Sequence, residues 1–232
     1  WLDAFETGCI SSNATDQVAS IRNKGFTGGD FTQGTDANKP FIEMGAINGR
    51  PALKGYNAAT GSNLSLPDST SLDYTTYSIF AVIRRHTDPG GVVQMIGGKY
   101  DTSGNQREHR IRVTATSYTL TADMTLDGIT NSPTIATAAA LTIDTNYIVE
   151  AQRGASAIAA AINFNASVNA AAAVTAPFQG TSVYNLFSRN SNADPFMGYI
   201  GEYLFFNQVL LTEERKRVIS YLSRKWGISP TW

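Results

Sequence analysis

The sequence predicts an all-β protein: a two-sheet antiparallel jelly-roll sandwich closed by one short C-terminal α-helix. Three observations carry that expectation. Short runs rich in β-branched and aromatic residues recur along the 232 residues, separated by turn signals every 8–12 residues. No long helical pattern connects them, so parallel crossovers are not expected. A helical period appears once, in "LLTEERKRVISYLSRKWGISPTW" (210–232).

The strands follow in order. "YSIFAVIRR" (77–85) sets Ser78, Phe80 and Val82 against Ile79, Ala81 and Ile83; both sets are largely apolar, which predicts a strand buried on both faces. "GVVQMIGGKY" (91–100) follows a Pro-Gly turn. "HRIRVTATS" (109–117) alternates, with Ile111, Val113 and Ala115 on one side and Arg110, Arg112 and Thr114 on the other. "SYTLTADMTL" (117–126) keeps the period. "TNYIVEAQRG" (145–154) and "SAIAAAINFNAS" (156–167) read as a hairpin around Gly154. "TSVYNLFSRN" (181–190) and "MGYIGEYLFFNQVL" (197–210) complete the series. The first 75 or so residues are richer in loop signals.

The terminal helix is expected to start at an N-cap Thr212, with Glu213 and Glu214 in its positive first turn. Val218, Tyr221, Leu222 and Trp226 form an apolar stripe; Gly227 takes the left-handed C-terminal position and Pro230 bars continuation. Four turns are marginal alone. The stripe must dock on the sandwich, and the expected place is beside the N-terminal "WLDA".

Composition narrows the function. Charged residues are 16% and the net charge is −1, so no basic field is available for a nucleic-acid backbone. No apolar run approaches the ~20 residues of a membrane span. Cys9 is the one cysteine, which leaves no intramolecular disulfide and, with His86 and His109 the only histidines, no usual structural zinc site. Both histidines read as exposed polar residues. There is no Gly-x-Ser-x-Gly elbow and no phosphate-binding loop. One domain spanning 1–232, a module of a longer polypeptide, is the simplest organisation.

The ordered set of segments resembles the concanavalin A-like lectin/glucanase superfamily, in its laminin-G-like or pentraxin-like branch as found in phage tail and secreted bacterial proteins. "WLDA" (1–4) resembles the opening strand. "GGDFTQGTDANKPFI" (28–42) resembles a Gln-rich loop, and "NGRPALKGYNAATGSNLSL" (48–66) a strand pair. "YTTYSIFAVIRR" (74–85) resembles the long central strand, and "MGYIGEYLFFNQVLLTEERKRVISYLSRKWGI" (197–228) the closing strand and helix. The resemblance implies a jelly roll and says less of function, because a fold hosts many activities. Glycosidases of the superfamily carry a Glu-x-Asp-x-x-Glu strand, and none of Glu6, Glu43, Glu108, Glu150, Glu202, Glu213 or Glu214 stands in one. The resemblance also implies calcium in some members. Candidate sources of loop oxygens are Asp30, Asp36 and Asn38, or Asp101 and Asn105, or Asn190, Asn192 and Asp194, with no set preferred, and such residues dominate ordinary turns.

The expectation is a non-catalytic module that recognises a glycan or cell-surface polysaccharide, on an extracellular or virion protein such as a tail fibre. Sugar binding asks for an aromatic face and planar polar groups on loops. "KYDTSGNQREH" (99–109) supplies Tyr100, Asp101, Asn105, Gln106 and Arg107, and "FSRNSNADPF" (187–196) supplies Arg189, Asn190, Asn192 and Asp194. Polar hairpin tips would have the same composition. The alternatives are a ligand-free assembly module contacting neighbouring domains or copies, trimeric if in a virion, and a glycoside hydrolase with unrecognised carboxylates.

Overall fold

A computed structural model describes residues 1–231 except 26–27, 58–59, 156, 166–167, 172–176 and 190–191. Two antiparallel sheets face each other. The first runs, in spatial order, Val168–Ala171, Ala157–Ile162, Asn146–Arg153, Tyr77–Arg85, Gly198–Phe206, Arg50–Lys54 and Phe41–Ile47, with Leu2–Asp3 also pairing Gly198–Phe206. The second runs Asn131–Ala140, Thr119–Thr125, Gln106–Val113, Gln94–Asp101, Tyr184–Leu186, Leu64–Leu66, Phe31–Thr32, Val18–Ile21 and Ile10–Ser12. Along one side the sheets are stitched together: Val18 N–H donates to Pro40 O at 2.7 Å and Ile42 N–H to Asp16 O at 2.9 Å. That contact covers the outer edge of Phe41–Ile47, which would otherwise invite another chain.

The strand Tyr77–Arg85 sits centrally in the first sheet, and its alternation decides both layers of the protein. Ile79, Ala81 and Ile83 enter the core between the sheets. Phe80 and Val82 point the other way, into a second core beneath the helix. Each such side chain contributes roughly 1.5–3 kcal/mol by leaving water, which is why both faces of this strand are apolar.

The helix spans Thr212–Trp226 and buries Ile219, Leu222 and Trp226 against Phe80, Val82, Ile148, Tyr199 and Leu204. Val218 and Tyr221 pack at the margin. Leu211 is the N-cap rather than Thr212; Glu214 reaches back to accept the Leu211 N–H at 2.8 Å. Gly227 is left-handed, φ 65°, and donates to Ser223 O at 2.8 Å. The helix does lie beside "WLDA": Trp1 meets Tyr221 edge-on at 6.4 Å, and Lys225 Nζ lies 2.6 Å from Asp3 Oδ2.

Other expectations shift in detail. The hairpin around Gly154 forms, with Gly154 N–H donating to Ala157 O at 2.8 Å, though residues 156 and 166–167 of its second predicted strand lie outside the described residues. The first 75 residues hold more strand than their loop signals imply, including Phe41–Ile47 and Arg50–Lys54. Asn131–Ala140 forms a strand that the sequence did not announce. It contains Pro133 and is the outermost described strand of its sheet, where a missing N–H is tolerated.

Candidate functional site

The strand Gln106–Val113 sends Ile111 and Val113 into the core and Arg110 and Arg112 to the opposite face of the second sheet. Its neighbour Thr119–Thr125 sends Leu120, Ala122 and Met124 inward and so turns Asp123 outward. The register places Arg110 directly opposite Asp123 and Arg112 opposite Thr121. Cross-strand charge pairs of this kind fix side-chain orientation.

Asp123 is 1% exposed, and its Oδ2 accepts from Arg110 Nε at 2.8 Å and Arg112 Nε at 2.5 Å. Burial pushes its carboxyl pKa up, and the Arg112 and Arg110 guanidiniums outweigh that, so it lies below the ordinary aspartate value. Asp194 Oδ2 accepts from Arg110 Nη1 at 3.3 Å and from Arg189 Nε at 2.8 Å. Arg189 also donates to Thr102 Oγ1. Three guanidiniums therefore meet two carboxylates. No described residue accepts from Arg110 Nη2 or Arg112 Nη1; Arg110 is 7% exposed and Arg112 is the more open of the two. The face holds oriented, fixed cations with donors to spare.

Of the residues expected from the sequence, Tyr100, Arg189 and Asp194 meet here. Tyr100 is 2% exposed: its ring lies 4.0 Å below the Arg110 guanidinium and its hydroxyl donates to Asn131 Oδ1 at 2.9 Å. It supports the arginine and has no open ring face. Asp101, Asn105 and Arg107 instead build the turn at the end of this strand pair. Asp101 Oδ1 accepts the Ser103 N–H at 2.9 Å, Asn105 is left-handed at φ 58°, and Arg107 Nη1 donates to Ile129 O. Asn192 is left-handed at φ 57°, with its Oδ1 buried and unpaired. Asn190 lies outside the described residues. Arg110, Arg112 and Asp123 were not singled out by loop composition; their signal was the polar side of an alternating strand.

His109 is 2% exposed, not a surface residue. It shares the inward side with Ile111 and packs against Tyr77 at 4.9 Å and Tyr184 at 5.5 Å. His86 is half-buried, edge-on to Tyr199, with Nδ1 3.1 Å from Asp144 Oδ1. Among the described residues no group of three or more His, Cys, Asp or Glu side chains converges to hold a metal. Asp30 accepts the Asn23 N–H and Asp36 pairs with Lys39, so both serve their own turns. The strand glutamates are each engaged: Glu43 with Lys54, Glu108 with Lys99, Glu150 with Arg215, Glu202 with Lys225. No described helix is long and apolar enough to cross a membrane.

No protein-family model and no curated protein matches the sequence. Solved structures do match. A botulinum neurotoxin serotype D ligand binding domain in complex with N-acetylneuraminic acid aligns at TM-score 0.63 and 11% identity, over 93% of this chain and 54% of that one. The CBM40 of a Ruminococcus gnavus IT-sialidase, bound to α2,3-sialyllactose, aligns at TM-score 0.57 and 15% identity, over 72% of this chain and 95% of that one. A Trypanosoma rangeli sialidase in complex with sialic acid aligns at TM-score 0.63 and 13% identity, over 98% of this chain and 33% of that one. This chain thus spans about half the length of the toxin domains. The fold is the concanavalin A-like lectin sandwich.

Proposed function

We propose that this chain is a non-catalytic carbohydrate-recognition module that binds an acidic glycan on the outer face of its second sheet. The observation that carries the reading is the pair of free guanidinium donors, Arg110 Nη2 and Arg112 Nη1, anchored by the buried Asp123. A planar guanidinium held in place matches a carboxylate with little ordering cost. Arg189, tethered through Asp194, adds a third cation at the rim. Matched structures that carry sialic acid or sialyllactose support a carboxylate-bearing sugar as ligand. The fixed pairing of the strand glutamates supports recognition without hydrolysis. The whole chain would serve as one module of a longer extracellular or virion polypeptide.

Calorimetric titration with α2,3-sialyllactose and with lactose tests the reading. The acidic sugar should bind at least ten times more tightly, and Arg112→Met should remove that preference while a cooperative melting transition persists at a lower temperature, since Asp123 keeps Arg110. Equal affinity for the two sugars, or an unaltered preference in R112M, would overturn it.

A further inference from the structure

At the end of the sandwich where Trp1 joins the sheet lies a cavity of about 480 Å³, within the range of small-molecule sites. Its wall is dominated by rings: Trp1, Phe31, Tyr74, Tyr184, Tyr203 and Phe205. Leucines 2, 66, 72 and 204 fill the gaps between them. The rings are set edge-on or tilted to one another: Phe31 to Tyr184 at 84°, Tyr184 to Phe205 at 88°, Tyr74 to Phe205 at 31° with centroids 5.2 Å apart. Neighbouring strands and loops hold them, so the shape is formed before any ligand arrives.

The polar groups decide what can enter. The two deep hydroxyls, Tyr184 and Tyr203, bond each other at 2.6 Å and burial raises both pKa values, so they stay neutral and leave one hydroxyl hydrogen between them. A sugar pushed into this cavity would leave most of its hydroxyls without partners, a cost that disfavours it. At the mouth, Lys24 is engaged by Glu6 at 2.6 Å and lies 4.2 Å over the Trp1 ring, so it offers little charge to an anion. Asn207 is exposed there, and no described residue bonds its amide.

We infer that this cavity is a second binding site, separate from the arginine face, for an uncharged aryl-bearing small molecule whose rings sit among Phe31, Tyr74, Tyr184 and Phe205 and whose single polar group reaches Asn207. Edge-to-face packing favours aromatic guests over plain alkyl chains of the same area. None of the residues of the arginine face lines the cavity, so the two sites stand or fall apart.

Titration with the neutral probe N-phenyl-1-naphthylamine tests the inference. Its fluorescence should rise saturably, with one probe per chain. Leu72→Trp, which fills the cavity, should abolish the rise. Tyr74→Ala removes a half-buried ring at the rim without opening the core and should weaken binding about tenfold. Arg112→Met should leave the titration unchanged, which separates failure here from failure of the glycan reading. The inference is overturned if the signal does not saturate, if Y74A binds as tightly as the parent, or if L72W, with an intact melting transition, still binds the probe.

Discussion

Trp1 and Trp226, at opposite ends of the described chain, donate their indole N–H groups to the two oxygens of one carboxylate. Glu202 Oε1 takes Trp1 Nε1 and Oε2 takes Trp226 Nε1, each at 2.8 Å. Glu202 is fully buried, and it also accepts from Tyr221 at 2.9 Å and pairs with Lys225 at 2.9 Å. Burial pulls the Lys225 pKa down, but Asp3 and Glu202 hold it above the ordinary lysine value. Glu202→Ala would leave two indoles and a phenol without their acceptor, and the Lys225 ammonium with Asp3 as its one remaining carboxylate. We expect a loss of about 3–5 kcal/mol, the scale of breaking a buried pair from one side. Urea denaturation checks it; an unmoved midpoint would mean that the clasp contributes nothing. Deletion of residues 212–232, which uncovers Phe80, Val82, Ile148 and Leu204, should abolish cooperative folding altogether.

The same clasp makes a steric prediction. A Cβ added at Gly201 would lie 2.6 Å from Trp226 Cη2 and 2.7 Å from its Cζ3. The indole is fully buried and has no free direction in which to move. Gly201→Ala should cost about 1–3 kcal/mol, with a shifted Trp emission maximum. Unchanged emission and stability would show that the helix can slide to make room.

Lys99 presents a second buried charge. Its side chain is fully enclosed and faces Asp68 at 2.8 Å, Asp73 and Glu108 at 3.1 Å. Burial lowers its pKa, and the three carboxylates more than offset this, leaving it raised. With a raised folded value, the stabilisation is complete below the ordinary lysine pKa and fades only as pH rises through the folded one. Lys99→Met should therefore destabilise throughout the neutral range, by about 3–5 kcal/mol. A melting temperature equal to that of the parent at pH 7 would contradict this.

Asp123 links the arginine face to acid stability. Its folded pKa is depressed, so its contribution is present above the ordinary aspartate value, 3.8, and is lost as pH falls through the lower folded value. Asp123→Asn should flatten the acid limb of a plot of melting temperature against pH. It should also loosen Arg110 and Arg112 and weaken acidic-sugar binding at neutral pH. An acid limb identical in both proteins would remove Asp123 from the account.

The sandwich was legible wherever period and chemistry agreed. Tyr77–Arg85 and the terminal helix announced themselves because apolar side chains repeated at the spacing of the element that buries them. Asn131–Ala140 did not, since alanines, threonines and a proline carry little period, and its pairing is dictated by the strand beside it. His109 was misplaced although its own alternation set it with Ile111; residue type was allowed to outweigh position. The arginine face was missed for a related reason. Loop composition drew attention to the hairpin tips, whereas the cations are assembled by the register between Arg110 and Asp123, a relationship between two strands that neither strand states alone.

The pairing of Leu2–Asp3 with Glu202–Tyr203 gives the protein a mechanical character. A pull on the N-terminal segment meets the backbone ladder and the Trp1–Glu202 bond on the strand Gly198–Phe206, and the Asp3–Lys225 ion pair on the helix. That strand is flanked by Tyr77–Arg85 and capped by the helix. Tension entering at this end is shared between sheet and helix before it reaches the arginine face in the other sheet. The clasp and the arginine face thus sit in different sheets, and a load on the first chain end would be borne by contacts that the arginine face does not share.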